Sequence, residues 1–218
     1  MDFDKDSGSL RLRIFNAIED AILDGRYNEG DSLNEIKLSQ EFGVSRTPVR
    51  EALMQLEHDG LVKNIPNKGA IVIGISDKDI DDIYLIRIRI EGLASRLCAE
   101  NITEDEIVAL EKIVDLQEFY LMKNDYEQIL RLDGDFHKII YSSSRSKPLR
   151  YMLSTFHNYV KHARDISVQT EGRAAKTVAE HRAILNAIKS KNGDLAEQLT
   201  AEHITNAKDN LSGNLGCK

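Results

Sequence analysis

Cysteine, long apolar runs and positive charge are all scarce in this 218-residue chain. The two cysteines, Cys98 and Cys217, stand far apart and in no metal-ligand spacing. This excludes a disulfide framework and a thiolate metal site, and a reduced, cytoplasmic chain is the simplest reading. The longest clean apolar run, residues 70–73 with Ile75 just beyond Gly74, is far too short to cross a bilayer, so no membrane partner is expected. The opening residues MDFDKDSGS are acidic and polar and do not read as a secretion signal. There is no internal repeat and no low-complexity tract. The formal net charge is −7, and the first 75 residues hold nine Lys and Arg against thirteen Asp and Glu. A nucleic-acid module is usually basic overall, so a role of that kind must rest on local clustering of charge.

What is present is ordinary for a soluble protein: 41% hydrophobic and 30% charged residues, enough for one large or two small domains with their own cores. The most informative stretch is residues 45–62, SRTPVREALMQLEHDGLV. Ser45 is placed to cap a helix through its hydroxyl, and Pro48 sits early enough to cost no helical hydrogen bond. Val49, Leu53 and Leu56 form one buried stripe, while Arg46 and Arg50, four apart, share another face with Thr47 beside them. Such a helix has the form that enters the DNA major groove, where arginine matches guanine O6/N7 and the helix amino end favours phosphate. Asp59-Gly60 ends the helix. Residues 61–65 and 69–73 then flank Pro66-Asn67-Lys68-Gly69 as a small hairpin carrying Lys63, Asn67 and Lys68. A helical hairpin with an ordinary surface arginine pair is the alternative. Upstream, residues 10–24 and 34–42 read as helices ended by Gly25 and Gly43, with a turn-rich connection over 25–32. Three helices and a wing thus fill residues 9–73, a winged helix-turn-helix in outline.

Gly43-Val-Ser-Arg-Thr-Pro-Val-Arg-Glu-Ala-Leu53, with Leu56, Gly60-Leu61-Val62 and Gly69, closely resembles the DNA-binding half of the GntR family of bacterial transcription regulators. The resemblance implies that Ser45, Arg46, Thr47 and Arg50 face DNA and that the wing tip, Asn67, Lys68 and Gly69, reaches the minor groove. Ile36 departs from the pattern: the fatty-acid-responsive members carry a DNA-touching arginine there.

A short break at residues 74–76 separates residues 1–74 from a second domain over 75–218. The latter is helical throughout, with six helices expected at about 77–100, 103–122, 125–143, 147–168, 173–191 and 194–211. Thr103 and Glu106 form a capping box, Pro148 suits an opening turn, and Gly193 separates the last two. The expected fold is mainly α: a winged helix-turn-helix followed by an all-α antiparallel bundle.

Several polar residues lie on the buried side of these helices. Asp133 interrupts the stripe of Ile129, Phe136 and Ile140, and His137 lies one turn on. His181 shares a face with Ile184, Leu185 and Ile188, and His203 continues the line of Leu195, Ala196 and Leu199. One carboxylate and three imidazoles are costly to bury unless paired, and gathering them around one divalent cation removes the cost. Taken singly, each histidine can equally be a hydrogen-bonded core residue, and Asp133 with His137 a surface pair. Arg87 stands in the otherwise apolar series Ile83, Ile90, Ala94 and Leu97. It reads either as a partner of Glu91 or as a bidentate clamp for a carboxylate. His58, His157 and His162 fall off the stripes and read as surface or pocket-edge residues.

Asp133-Gly-Asp-Phe-His137, Glu180-His181-Arg-Ala-Ile184 and the late His203 resemble the FCD effector domain of FadR-type GntR regulators, over nearly all of residues 77–212. The resemblance implies a metal ion, typically Zn²⁺ or Ni²⁺, held by Asp133, His137, His181 and His203, with positions open for water or an organic-acid effector, and Arg87 beside it. A metal with one Asp ligand leaves a positive site, so a small carboxylic or sugar acid is the expected effector. The expected function is a ligand-responsive regulator, a repressor, binding palindromic operator DNA as a homodimer rather than acting as an enzyme. A metal sensor without an organic effector and a metal-dependent hydrolase are the alternatives.

Overall fold

The computed structural model describes residues 10–65, 69–161 and 172–215, so Asn67, Lys68 and His162 lie outside the described residues. The chain divides into two compact units, Met1–Ser76 and Asp77–Lys218. Among the described residues no helix is long and apolar enough to cross a membrane.

In the first unit α1 (Leu10–Leu23) buries Ile14, Ile18, Ala21 and Ile22, at helical spacing. The second helix, α2 (Glu35–Glu41), starts at Asn34, whose side chain accepts from the amides of Ile36 and Lys37 at 2.9 and 3.2 Å. The third, α3 (Arg46–His58), buries Val49, Ala52, Leu53 and Leu56 against α1. Burial of each Val or Leu side chain contributes roughly 1.5–3 kcal/mol to this small core. Ser45 occupies the cap position of α3, but its hydroxyl makes no capping hydrogen bond. It is exposed, so water can serve the first-turn amides instead.

Three strands, β1 (Ser32–Leu33), β2 (Val62–Ile65) and β3 (Gly69–Val72), form an antiparallel sheet in the order β1-β3-β2. The β2–β3 hairpin pairs Val62 with Val72 and Ile65 with Gly69. The turn-rich connection expected over 25–32 runs into a strand instead: Ser32 pairs with Ile71 and Leu33 with Ala70. This third strand explains Gly69: its φ is +88°, and a Cβ there would lie 2.9 Å from the Leu33 carbonyl oxygen. Both the backbone conformation and the approach of β1 require glycine.

The second unit is a bundle of six described helices: α4 (Asp77–Asn101), α5 (Glu104–Met122), α6 (Tyr126–Ser143), α7 (Lys147–Tyr159), α8 (Arg173–Lys189) and α9 (Gly193–Leu215). The Thr103–Glu106 capping box is formed, and Pro148 lies in the first turn of α7 behind the Ser146 cap. The expected helix over 147–168 ends its described part at Tyr159. Helix α9 lies along α4, α5 packs on α6, and α8 bridges α5 and α9. Gly92 permits the close approach of α4 and α9, since a Cβ there would come within 3.0 Å of the Glu197 carbonyl oxygen. The core is built from Ala94, Cys98, Leu110, Val114, Phe136, Ile140, Leu153, Ile184, Leu185 and Ile188. On α4 the buried line runs Ile83, Arg87, Glu91, Ala94 and Cys98, so it passes through Glu91 rather than Ile90 and Leu97. Leu195, expected on the inner face of α9, is exposed.

Candidate metal centre

Three helices bring the wrong-side polar residues together. Asp133 and His137 come from α6, His181 from α8 and His203 from α9; all four are buried, and one ligand atom from each lies within 4.8 Å of the others. Asp133 Oδ1 is 3.5 Å from His181 Nε2 and 3.8 Å from His137 Nε2. Ligand atoms of a tetrahedral ion with bonds of ~2.1 Å stand ~3.4 Å apart, so this spacing suits a single cation. Phe136 stacks on the His181 ring at 4.0 Å between centroids and fixes its plane.

The far side of each imidazole fixes its function. His181 Nδ1 meets Gln117 Oε1 at 2.9 Å, and His203 Nδ1 meets Glu180 Oε2 at 2.7 Å. His137 Nδ1 lies 3.1 Å from Glu91 Oε2, near enough to attract it although not aligned for a hydrogen bond. With an acceptor at every Nδ1, the proton belongs there and the Nε2 lone pairs are left for a ligand. His181 Nε2 is buried and has no hydrogen-bond partner among the described residues, which is the state expected of a metal ligand and is costly otherwise. Burial and the neighbouring His203 hold the His181 pKa well below its ordinary value, and burial lowers that of His203 despite Glu180. Neutral imidazoles are the form that coordinates. The arrangement could hold a metal ion; its charge and donor types fit a divalent cation.

The tethers are themselves held. Burial raises the Glu180 carboxyl, but hydrogen bonds from His203 and Arg173 outweigh this and hold it at about 2. Arg173 reaches both Glu180 oxygens at 2.9 Å, and Asn206 Nδ2 donates to Oε1 at 2.9 Å. Glu91 is likewise held well below the carboxylate range, because Arg87 and His137 outweigh its burial. Arg87 Nε donates to Glu91 Oε1 at 2.6 Å, and its guanidinium lies 4.9 Å from the Tyr84 ring centre. Arg87 Nη1 is buried and has no hydrogen-bond partner among the described residues.

Glu91, Gln117 and Glu180 were not singled out as tethers by the sequence reading, although Gln117 carried a signal. It continues the buried stripe of Ile107, Leu110 and Val114 on α5. His157, read as a surface or pocket-edge residue, is buried with its ring 5.5 Å from that of His137.

In the first unit Ser45, at the cap position, and Arg46, Thr47 and Arg50 in the opening turns of α3 are all exposed, while Val49 and Leu53 of the same helix are buried. Glu57 of α3 accepts from the Asn64 amide at 2.8 Å and so ties this helix to β2.

Comparison with known proteins agrees with both units. Residues 10–72 match the bacterial regulatory proteins of the gntR family, and residues 82–206 match the FCD domain. The chain is 32% identical over 201 residues to the HTH-type transcriptional regulator YdhC of Bacillus subtilis strain 168, covering 92% of this chain and 90% of that protein. It is 30% identical over 198 residues to the gluconate operon transcriptional repressor of Bacillus licheniformis, covering 86% and 79%. Among solved structures, Escherichia coli McbR/YncC superposes with a TM-score of 0.78 at 24% identity, covering 96% of this chain and 100% of that one, a likeness of fold. The chain therefore belongs to the GntR family of bacterial transcription regulators, which are not enzymes, and carries an FCD domain behind its helix-turn-helix.

Proposed function

We propose that this regulator is a cytoplasmic repressor that binds palindromic operator DNA as a homodimer, and that a small organic or sugar acid sets its grip by docking at a divalent cation, Zn²⁺ or Ni²⁺, held by Asp133, His137, His181 and His203. The observation that carries the reading is the set of three imidazoles, each with an acceptor beside Nδ1, whose ligand atoms gather with one carboxylate oxygen within 4.8 Å of one another. Two buried carboxylates (Asp133, Glu91) and the partly buried Glu180 against two buried guanidinium groups (Arg87, Arg173) leave one unit of negative charge. A divalent cation turns this into one unit of positive charge, which favours an anionic effector. When bound, the cation supplies Lewis-acid attraction for a carboxylate. Arg87 Nη1 is the group on this chain that takes the effector's second oxygen, with Glu91 orienting the guanidinium. Effector binding favours one packing of the bundle helices, and the linker passes the difference to the recognition helices. On the DNA side Ser45, Arg46, Thr47 and Arg50 engage the major groove, and Asn67, Lys68 and Gly69 the minor groove.

The test is operator affinity for DNA upstream of the protein's own gene, measured by fluorescence anisotropy with metal-free protein, metal-loaded protein, and metal-loaded protein plus each of a panel of carboxylic and sugar acids. Metal-dependent binding that one class of acid weakens is expected. No preference over random DNA in any state overturns the reading. A response to metal with none to any acid replaces the effector reading with metal sensing alone.

A further inference from the structure

The two arginines on the exposed face of α3 do not stand alone. Arg50 donates Nε to Glu35 Oε1 at 3.0 Å and Nη2 to Oε2 at 3.1 Å, and Arg46 donates Nη2 to the same Oε2 at 3.1 Å. Both arginine side chains are 56% exposed, while Glu35 is 23% exposed beneath them. Glu35 is the first residue of α2, where the Asn34 cap fixes the backbone and the helix dipole favours a carboxylate. Its own pKa is lowered, mainly by Arg50.

A guanidinium has two donor edges, a side edge of Nε with one Nη and an end edge of the two Nη groups. On Arg50 Glu35 fills the side edge, which leaves Nη1 and the second Nη2 proton as the fork that matches guanine O6/N7. One carboxylate also offsets the repulsion between two like charges one turn apart. An exposed ion pair adds little to folding, and a negative charge on a DNA-facing surface weakens attraction to every duplex. A residue placed there therefore has to repay its electrostatic cost in some other way. We propose that Glu35 is a positioning residue for base recognition, holding Arg50 and Arg46 with their remaining donors set for guanine. This rests on the reading of α3 as the DNA-reading helix.

The experiment starts with an operator selected by the wild-type full-length protein from a randomised duplex pool. Affinities of wild type, E35Q, E35D and R50A are then measured on that operator and on a scrambled duplex, with circular dichroism melts as a check on folding. E35D keeps the charge but is one methylene short of both arginines. The operator-to-scrambled ratio falls about tenfold in both E35Q and E35D. Reselection with either variant relaxes the guanine positions that R50A relaxes. If E35D keeps the wild-type ratio, or if E35Q tightens both duplexes by the same factor, Glu35 is only a counter-charge and the proposal is wrong. If wild type selects no sequence, or R50A keeps the wild-type ratio, the DNA-reading assignment of α3 has failed and the proposal falls with it.

Discussion

Replacing Gln117 with leucine separates metal positioning from folding. His181 offers Nε2 to the cluster only while Nδ1 carries the proton, and the Gln117 side-chain carbonyl at 2.9 Å is what keeps it there. Loss of such an outer acceptor lowers metal affinity about 10–100-fold, or about 1.4–2.8 kcal/mol. The metal-free fold should change much less. The substitution leaves the His181 Nδ1–H without its acceptor, at about 1–3 kcal/mol. It also removes Gln117 Nε2, which is buried and has no hydrogen-bond partner among the described residues, so a penalty of similar size disappears. The two changes offset to within about 1 kcal/mol. Competition for Zn²⁺ against a chromogenic chelator gives the affinity, and urea unfolding of the metal-free protein gives the stability. An unchanged affinity in Q117L refutes the reasoning. So does a collapse of metal-free stability large enough to account for the loss.

Three further outcomes test other parts of the structure. G69A should destabilise the first unit by about 1–3 kcal/mol, because of its positive φ and the 2.9 Å approach to Leu33, with a lowered melting midpoint as the readout. Burial pushes the Cys98 thiol up to about 12, so iodoacetamide at neutral pH should leave it unmodified in the native protein and label it once denaturant is added, as read by peptide mass spectrometry. Glu180 is held at about 2 against an ordinary 4.5, so its contribution is complete above 4.5 and is lost as pH falls through about 2. Metal-free E180Q should accordingly lose less stability than wild type across that acid range, as measured by urea melts.

The features legible in the sequence were those written as local pattern. The Val49, Leu53 and Leu56 stripe, the Thr103–Glu106 box and the polar residues breaking apolar stripes on α6, α8 and α9 all follow from helical spacing. Spacing left open whether Asp133, His137, His181 and His203 meet, and the structure brings their ligand atoms within 4.8 Å of one another. What stayed hidden depends on partners far along the chain. Strand β1 is two residues long and exists only because β3 lies beside it. Glu91 was expected as a partner of Arg87, but not as a bridge from it to His137, since that link joins two helices. Glu35 gave no sign of its role, because its three contacts run to residues 11 and 15 positions away on a different helix. His157 was legible and misread: it follows Leu149 and Leu153 at helical spacing on the buried side of α7, which carries its ring to 5.5 Å from that of His137.

X-ray absorption spectroscopy on the purified, zinc-loaded protein bears most directly on the buried cluster. One ion per chain is predicted, with three imidazole nitrogens at about 2.0–2.1 Å, at least one oxygen donor and no sulfur. A protein that retains no ion, or that retains it with an unchanged spectrum after Asp133 and His181 are both replaced by alanine, would contradict the account.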